Sequence, residues 1–222
     1  IIIDTTEANI EYVLDGGNYN IMVYHRSNDL SLNESGYINA QANINYIDLE
    51  SSKLIQNTDI KVGRHGLLNV HSTYLASNDK MINFNFTNAE ADSEINLDNS
   101  VVALKDAELL MNVVGNIVKG AKRSIHHQKN RCLTIDSLKK ATIRPVLNID
   151  ENDVTASHSL SSGTINEDVL FYMNARGLNR ATALLLMIES YLTLDKEVFE
   201  LFENGLIIEE ECKKKVNDLC LM

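Results

Sequence analysis

His158 is the residue of this sequence best suited to chemistry. A neutral imidazole ligates iron and other transition metals, and its near-neutral pKa suits proton handling. It ends the extended segment Val154-Thr155-Ala156-Ser157-His158. A small polar linker, Gly163-Thr164-Ile165, follows, and then Glu167-Asp168-Val169-Leu170-Phe171-Tyr172-Met173 runs on to Ala175-Arg176-Gly177-Leu178. On residue type alone, a lone histidine at a strand exit is more often a hydrogen-bonded structural group than a ligand.

The other candidates are weaker. His126 and His127 are adjacent, so in an extended chain they point to opposite faces and do not share a metal; a surface turn is the expectation. His65 and His71 are interrupted by Gly66 and read as structural. Cys132 reads as a small buried hydrophobe in a strand. Cys212 and Cys220, on one helix, stand about 12 Å apart along its axis, too far for a disulfide or a shared metal. Three cysteines in 222 residues make no disulfide framework and suit a reducing compartment. No Walker phosphate loop is present, so the chain is not expected to hydrolyse ATP.

The elements that would position these residues fall into two regimes. Up to about residue 160 the apolar residues alternate in short runs, as in Ala42-Asn43-Ile44-Asn45-Tyr46-Ile47, Met81-Ile82-Asn83-Phe84-Asn85-Phe86 and Leu109 to Val114. Such alternation predicts half-buried strands. Turn formers such as Asp15-Gly16-Gly17-Asn18 and Asp98-Asn99-Ser100 separate them. With no helical crossovers, sandwich, barrel and solenoid all remain open. The abundant asparagines suit left-handed turns and stacked ladders at the corners of a solenoid, or reflect coding bias.

From Asn166 the period becomes helical. Asn166 caps a first helix that carries Glu167 and Asp168 in its opening turn, and Gly177 stops it. Asn179 caps a second, with a stripe of Ala181, Leu184, Leu185, Ile188 and Leu192. Asp195 opens a third, with Val198, Leu201 and Phe202, closed near Gly205. A fourth carries Ile208, Cys212, Val216, Leu219 and Cys220. The predicted units are a β core over 1–160 and a small helical subdomain over 161–222.

A net charge of −11, from 31 acidic and 20 basic residues, argues against nucleic acid. The basic cluster Lys119, Lys122, Arg123, Lys129 and Arg131 reads as a solvated face. No apolar run approaches the roughly 18 residues of a membrane span. The first residue is Ile rather than Met, which reads as a fragment or a trimmed chain, and no signal-peptide pattern opens it.

The segment Val154 to Gly177 resembles the SufB/SufD family, scaffold proteins of SUF iron–sulfur cluster assembly. That family carries a V-x-x-S-H or V-x-H-E segment, a short linker, then E/D-x-L-F-Y-x-x-x-R-G-I/L. Two landmarks stand before it in the family's order: Lys119-Gly120-Ala121-Lys122 with His127-Gln128-Lys129-Asn130-Arg131, and the single proline, Pro145. The resemblance covers about residues 115 to 195. SufB-like members carry a Cys before that proline and a Glu after the matching His. Lys139 and Ser159 stand there instead, so the chain is more similar to SufD.

The resemblance implies a mainly β fold, a right-handed parallel β-helix followed by a small C-terminal α-helical subdomain. With rungs of about 20 residues there would be about seven of them, stacked to about 35 Å. It implies a non-enzymatic scaffold that pairs with a SufB-like subunit and docks the ATPase SufC. His158 would lie at the interface with SufB, as a metal ligand where a nascent cluster forms. No tightly bound cofactor is expected, only a transient iron–sulfur cluster shared with the SufB-like partner. Leu170, Phe171, Tyr172, Arg176 and Leu178 are the expected ATPase-docking residues, since apolar groups on this segment exceed what one core face holds. The last rungs, around Leu109 to Val146, are the expected dimer contact, including a homodimer when the chain is alone. The implied location is cytoplasmic, or an organellar stroma if a targeting segment was removed. The alternative is a β-helix enzyme acting on polysaccharide, which needs paired carboxylates in a cleft.

Overall fold

Alternating burial is carried through several of the predicted strand runs. In the computed structural model, β4 (Leu54–Val62) alternates strictly between buried and exposed residues, and β8 (Leu109–Ile117) between buried and half-buried ones. The structure describes residues 1–222 except 27–28, 51, 105–106, 136–140, 193–195 and 221–222. Expectations for Lys139 and Asp195 therefore fall outside the described residues.

The β elements are β1 (Ile2–Ile3), β2 (Glu7–His25), β3 (Leu30–Asp48), β4, β5 (Leu67–Ala76), β6 (Lys80–Asn88), β7 (Glu94–Ala103), β8, β9 (Ile125–Thr134), β10 (Ala141–Ile149) and β11 (Thr155–Thr164). All described pairings are parallel. The long β2 and β3 each serve two sheets. β4, β6, β8 and β10 then extend one sheet from the first half of β3, and β5, β7, β9 and β11 extend the other from its second half. The result is a parallel β-solenoid of about five turns, as the resemblance implied.

The turns are longer and fewer than expected. Stacked asparagines are 24 residues apart from Asn33 to Asn57, 26 from Asn57 to Asn83, 29 from Asn83 to Asn112, and 32 from Asn116 to Asn148. The paired strands keep 9 or 10 residues, so the corners take up the added length. About five turns stack to roughly 24 Å rather than 35 Å.

The asparagines form ladders, but on the outer faces of the strands rather than at the corners. One runs Asn112→Asn83→Asn57→Asn33→Asn9, each amide donating to the carbonyl of the preceding turn at 2.7–3.3 Å. A second joins Asn96, Asn69, Asn43 and Asn20, and a third Asn148, Asn116 and Asn85.

Between the sheets lies an apolar core that includes Ile38, Ile44, Ile60, Leu68, Val70, Phe84, Phe86, Met111 and Val113. It encloses one carboxyl, Glu34, which accepts from Tyr12 Oη (2.8 Å), Thr58 Oγ1 (2.7 Å) and Gln56 Nε2 (3.0 Å). A buried cation, Lys80, lies near a corner. Its Nζ donates to Asp48 Oδ1 (3.1 Å) and to the carbonyls of Glu50 and Ser52, while His25 Nδ1 stands 2.9 Å from Asp48 Oδ2.

The helices are α1 (Glu167–Ala175), α2 (Arg180–Leu192), α3 (Lys196–Glu200) and α4 (Gly205–Cys220). Asn166 Oδ1 accepts from Asp168 N and Asn179 Oδ1 from Thr182 N, so both predicted caps are in place. Gly177 sits at φ +92°, the left-handed stop after α1. Gly205 does not close the third helix; it begins α4, where a Cβ would overlap the Phe199 backbone. The third helix buries Phe199, while Leu201 is 61% exposed. The second helix buries Ala183, Ile188 and Leu192, a stripe slightly rotated from the expected one. Helices α2 to α4 share a second core with the solenoid, in which Ile188, Leu192, Phe199, Ile208, Cys212 and Val216 meet Met22, Tyr24, Leu49, Leu75 and Val102. Lys215 of α4 pairs with Glu50, and Glu211 receives Tyr24 Oη at 3.3 Å.

Candidate functional site

β11 is the last strand of its sheet, and His158 lies on it in register with Gln128 of β9. That column continues through Leu97, Val70 and Ile44, all buried. Side-chain direction alternates along a strand, so His158 is on the inward side of β11. It is nevertheless exposed, because no further turn covers it. The strand leaves one imidazole at the open mouth of the solenoid interior. Farther along the same two strands, beyond His158, a cavity of about 550 Å³ opens between β10 and β11, lined by Cys132, Ile143, Leu160 and Ser162.

The neighbouring histidines occupy places that adjacency alone did not suggest. His126 and His127 lie within β9, not on a turn. They do point to opposite faces. His127 faces outward and its Nδ1 is 2.7 Å from Ser157 Oγ. His126 faces inward and is fully buried, and burial pulls its pKa down to about 4. Its Nδ1 pairs with Asn88 Oδ1 at 2.8 Å, and its Nε2 lies 3.4 Å from Gln128 Nε2. Room for this pair comes from Gly115 on the opposite sheet, where a Cβ would stand 2.7 Å from Gln128 Nε2. Alternation assigned His126 a face; nothing local marked that face as core.

The remaining candidates are dispersed. His65 sits at a corner with φ +58°, and His71 lies on β5. Cys132 is buried, and burial raises its pKa. Burial, with Glu211 nearby, pushes the Cys212 thiol up to about 12, so neither thiol is activated. The basic cluster divides: Arg123 pairs with Asp92 at a corner, while Lys129 and Arg131 pair with Asp98 on the outer face of β9. Asp98, Lys129 and Arg131 line a crevice of about 330 Å³ with His71 and Phe199, a juxtaposition of separate turns that spacing did not reveal. No group of three or more His, Cys, Asp or Glu side chains is arranged to hold a metal among the described residues.

Helix α1 presents a second surface. Phe171 is 75% and Tyr172 54% exposed, and the Arg176 guanidinium stacks 4.2 Å from the Tyr172 ring centre. Leu178 is half-buried. Leu170 differs from its neighbours: it is 1% exposed and anchors α1, so it cannot itself face a partner. Glu167 and Arg180 form a two-pronged pair at 2.8 and 2.9 Å that holds α1 against α2. The alternating strand at Leu109 to Ile117 turns Leu109, Met111, Val113 and Ile117 into the core, so the free strands at this end are β10 and β11.

The open end of the solenoid carries one imidazole, and helices with an exposed aromatic face follow it. The sequence model described as "SUF system FeS cluster assembly, SufBD core domain" matches residues 17–191. The chain belongs to the SufBD family of SUF iron–sulfur cluster assembly. It is 34% identical over 90 residues to the iron-sulfur cluster assembly protein SufD of Bacillus subtilis (strain 168), covering 40% of this chain and 21% of that protein. It is 30% identical over 108 residues to protein ABCI7, chloroplastic, of Arabidopsis thaliana, covering 49% of this chain and 22% of that one. A SufBD family protein of Mycobacterium tuberculosis (strain ATCC 25618 / H37Rv) is 30% identical over 74 residues, 33% of this chain and 9% of its own length. The matches thus span far less than two thirds of these relatives.

Proposed function

We propose that this chain is a SufD-like scaffold subunit. It pairs with a SufB-like subunit through the open end at β10 and β11, and it docks the ATPase SufC through α1. The observation that carries the reading is the placement of His158. An inward-facing imidazole at an uncovered last turn is solvent-accessible alone and becomes enclosed once another strand end abuts it. There it would touch a nascent cluster, which is cargo shared across the interface and not a resident cofactor. Such a scaffold is not itself an enzyme. The outer strands supply unpaired backbone groups for the partner, and in the absence of a SufB-like chain the same end supports a homodimer. Phe171, Tyr172 and Arg176 form the ATPase-facing patch, with Leu178 at its margin and Leu170 anchoring it from beneath. Among the described residues no helix is long and apolar enough to cross a membrane. The place of work is the cytoplasm or an organellar stroma.

The test is anaerobic cluster reconstitution on the complex of this chain with SufB-like and SufC subunits, comparing wild type with His158→Ala. The expected result is an intact complex that yields substantially less cluster. An equal yield would remove His158 from the reading.

A further inference from the structure

The hydrogen bonds beneath His158 have a fixed direction. Asn88 Nδ2 faces the carbonyl oxygens of Ser93 and Ile125, both at 3.2 Å, which can only accept. Asn88 Oδ1 is therefore the atom facing His126, and His126 Nδ1 carries the proton donated to it at 2.8 Å. His126 Nε2 is left as an acceptor, and Gln128 Nε2 donates to it. The carboxamide of Gln128 cannot be reversed, because Nε2 also donates to the Val146 carbonyl at 3.3 Å. The chain of bonds thus ends on Gln128 Oε1. That oxygen is buried and has no hydrogen-bond partner among the described residues.

An unspent buried acceptor is costly, on the order of 1–3 kcal/mol. A chain of aligned amide and imidazole bonds also polarises its last acceptor. The side chain one turn above, in register and on the same face, is His158. Register partners on neighbouring strands are roughly 4.8 Å apart, within reach of an imidazole N–H after a rotamer change.

We propose that Gln128 is the positioning residue for His158. Its Oε1 accepts one imidazole N–H and thereby fixes the tautomer. The other ring nitrogen then presents its lone pair toward the open end, where a metal or a sulfur-bound iron of the cargo would approach. Ligating histidines are commonly oriented in this way through the second ring nitrogen. His126 and Asn88 hold Gln128 in place from within, and Gly115 leaves them the space. The consequence for cluster assembly rests on the role given to His158 above; the orientation of the ring does not.

Nitrogen-15 NMR of histidine-labelled protein, at a pH where imidazole is neutral, reads the tautomer directly. Wild type is expected to show His158 as a single tautomer. Gln128→Leu, which removes the acceptor oxygen, is expected to give a mixture. In the assembled complex Gln128→Leu should lower cluster yield about tenfold. Circular dichroism verifies that each variant is folded, and Gly115→Ala, which displaces the His126–Gln128 pair, provides a second perturbation with the same expected tautomer mixture. An unchanged His158 tautomer in both Gln128→Leu and Gly115→Ala would overturn the positioning role. So would full cluster yield in Gln128→Leu when His158→Ala is defective. If His158→Ala has no effect while the tautomer responds, the cluster-handling role fails and the positioning contact stands.

Discussion

Tyr12 Oη donates to Glu34 Oε1 at 2.8 Å, deep in the solenoid interior. Burial raises the pKa of this carboxyl, and the bonds from Thr58, Tyr12 and Gln56 only partly oppose that. The fold therefore favours protonated Glu34 relative to the unfolded chain. The sign follows: this site costs nothing at a pH below its unfolded value of about 4.3, and stability falls as pH rises from there through the raised folded pKa. Glu34→Gln keeps the size and most of the bonds but cannot ionise. Its stability relative to wild type should be greater at about pH 8 than at about pH 4 in urea titrations. Parallel pH profiles for the two proteins would contradict this.

Asp48 has the opposite sign. Burial alone would raise its pKa, but Lys80 and then His25 outweigh burial and hold it below the usual value. Its contribution is present above its unfolded value of about 3.9 and is lost as pH falls through the lowered folded value. Lys80→Met leaves a buried carboxylate and two carbonyls without their cation. It should cost about 3–5 kcal/mol, with much of that recovered by adding Asp48→Asn. Chemical denaturation of both variants measures the difference.

Gly36 and Gly163 should respond oppositely to the same added methyl group. A Cβ at Gly36 would lie 2.7 Å from both the Cβ and the carbonyl oxygen of Tyr12, whereas at Gly163 nothing lies within 4 Å. Gly36→Ala is expected to cost about 1–3 kcal/mol through overpacking. Gly163→Ala should stay within about 0.5 kcal/mol of wild type. Thermal melts of the two proteins are sufficient.

On α1, Phe171→Asp should leave the melting temperature almost unchanged, since the ring is exposed, but weaken SufC capture at least about tenfold. Leu170→Ala should instead cost roughly 2–5 kcal/mol and loosen α1. Surface plasmon resonance with immobilised SufC distinguishes them. Equal binding by Phe171→Asp and wild type would move the ATPase elsewhere. A truncation before α1 is the poorer test, because it would strip α2 to α4 from the apolar corner around Tyr24 and Leu75.

Much of the fold was legible because alternation and capping are local signals. Ile44, Phe84 and Met111 announced their strands, and Asn166 and Asn179 their helices. The length of a turn was not legible, since corners carry no periodicity and lengthen along the chain. Glu34 and Lys80 gave no sign of burial, because their partners Tyr12, Gln56, Asp48 and Ser52 arrive from other turns. His158 was singled out through its neighbourhood in sequence, whereas Gln128, one turn away in space, was a motif letter without a role. Leu170 and Phe171 are adjacent and equally apolar; only the packing of α1 separates the anchor from the exposed ring.

The outward asparagine ladders bear on how pairing is chosen during folding. An alternating core distinguishes only inside from outside, so a strand displaced by two residues still buries the correct face. Corners of unequal length would tolerate such a displacement. With Asn57 moved two places along β3, its amide would meet Ser31 or Ser35 instead of Asn33, and a like displacement of β6 on β4 or of β8 on β6 would break the bond of Asn83 or Asn112. The solvent-facing amides thus act as a proofreading column, rejecting misalignments that hydrophobic burial alone would accept.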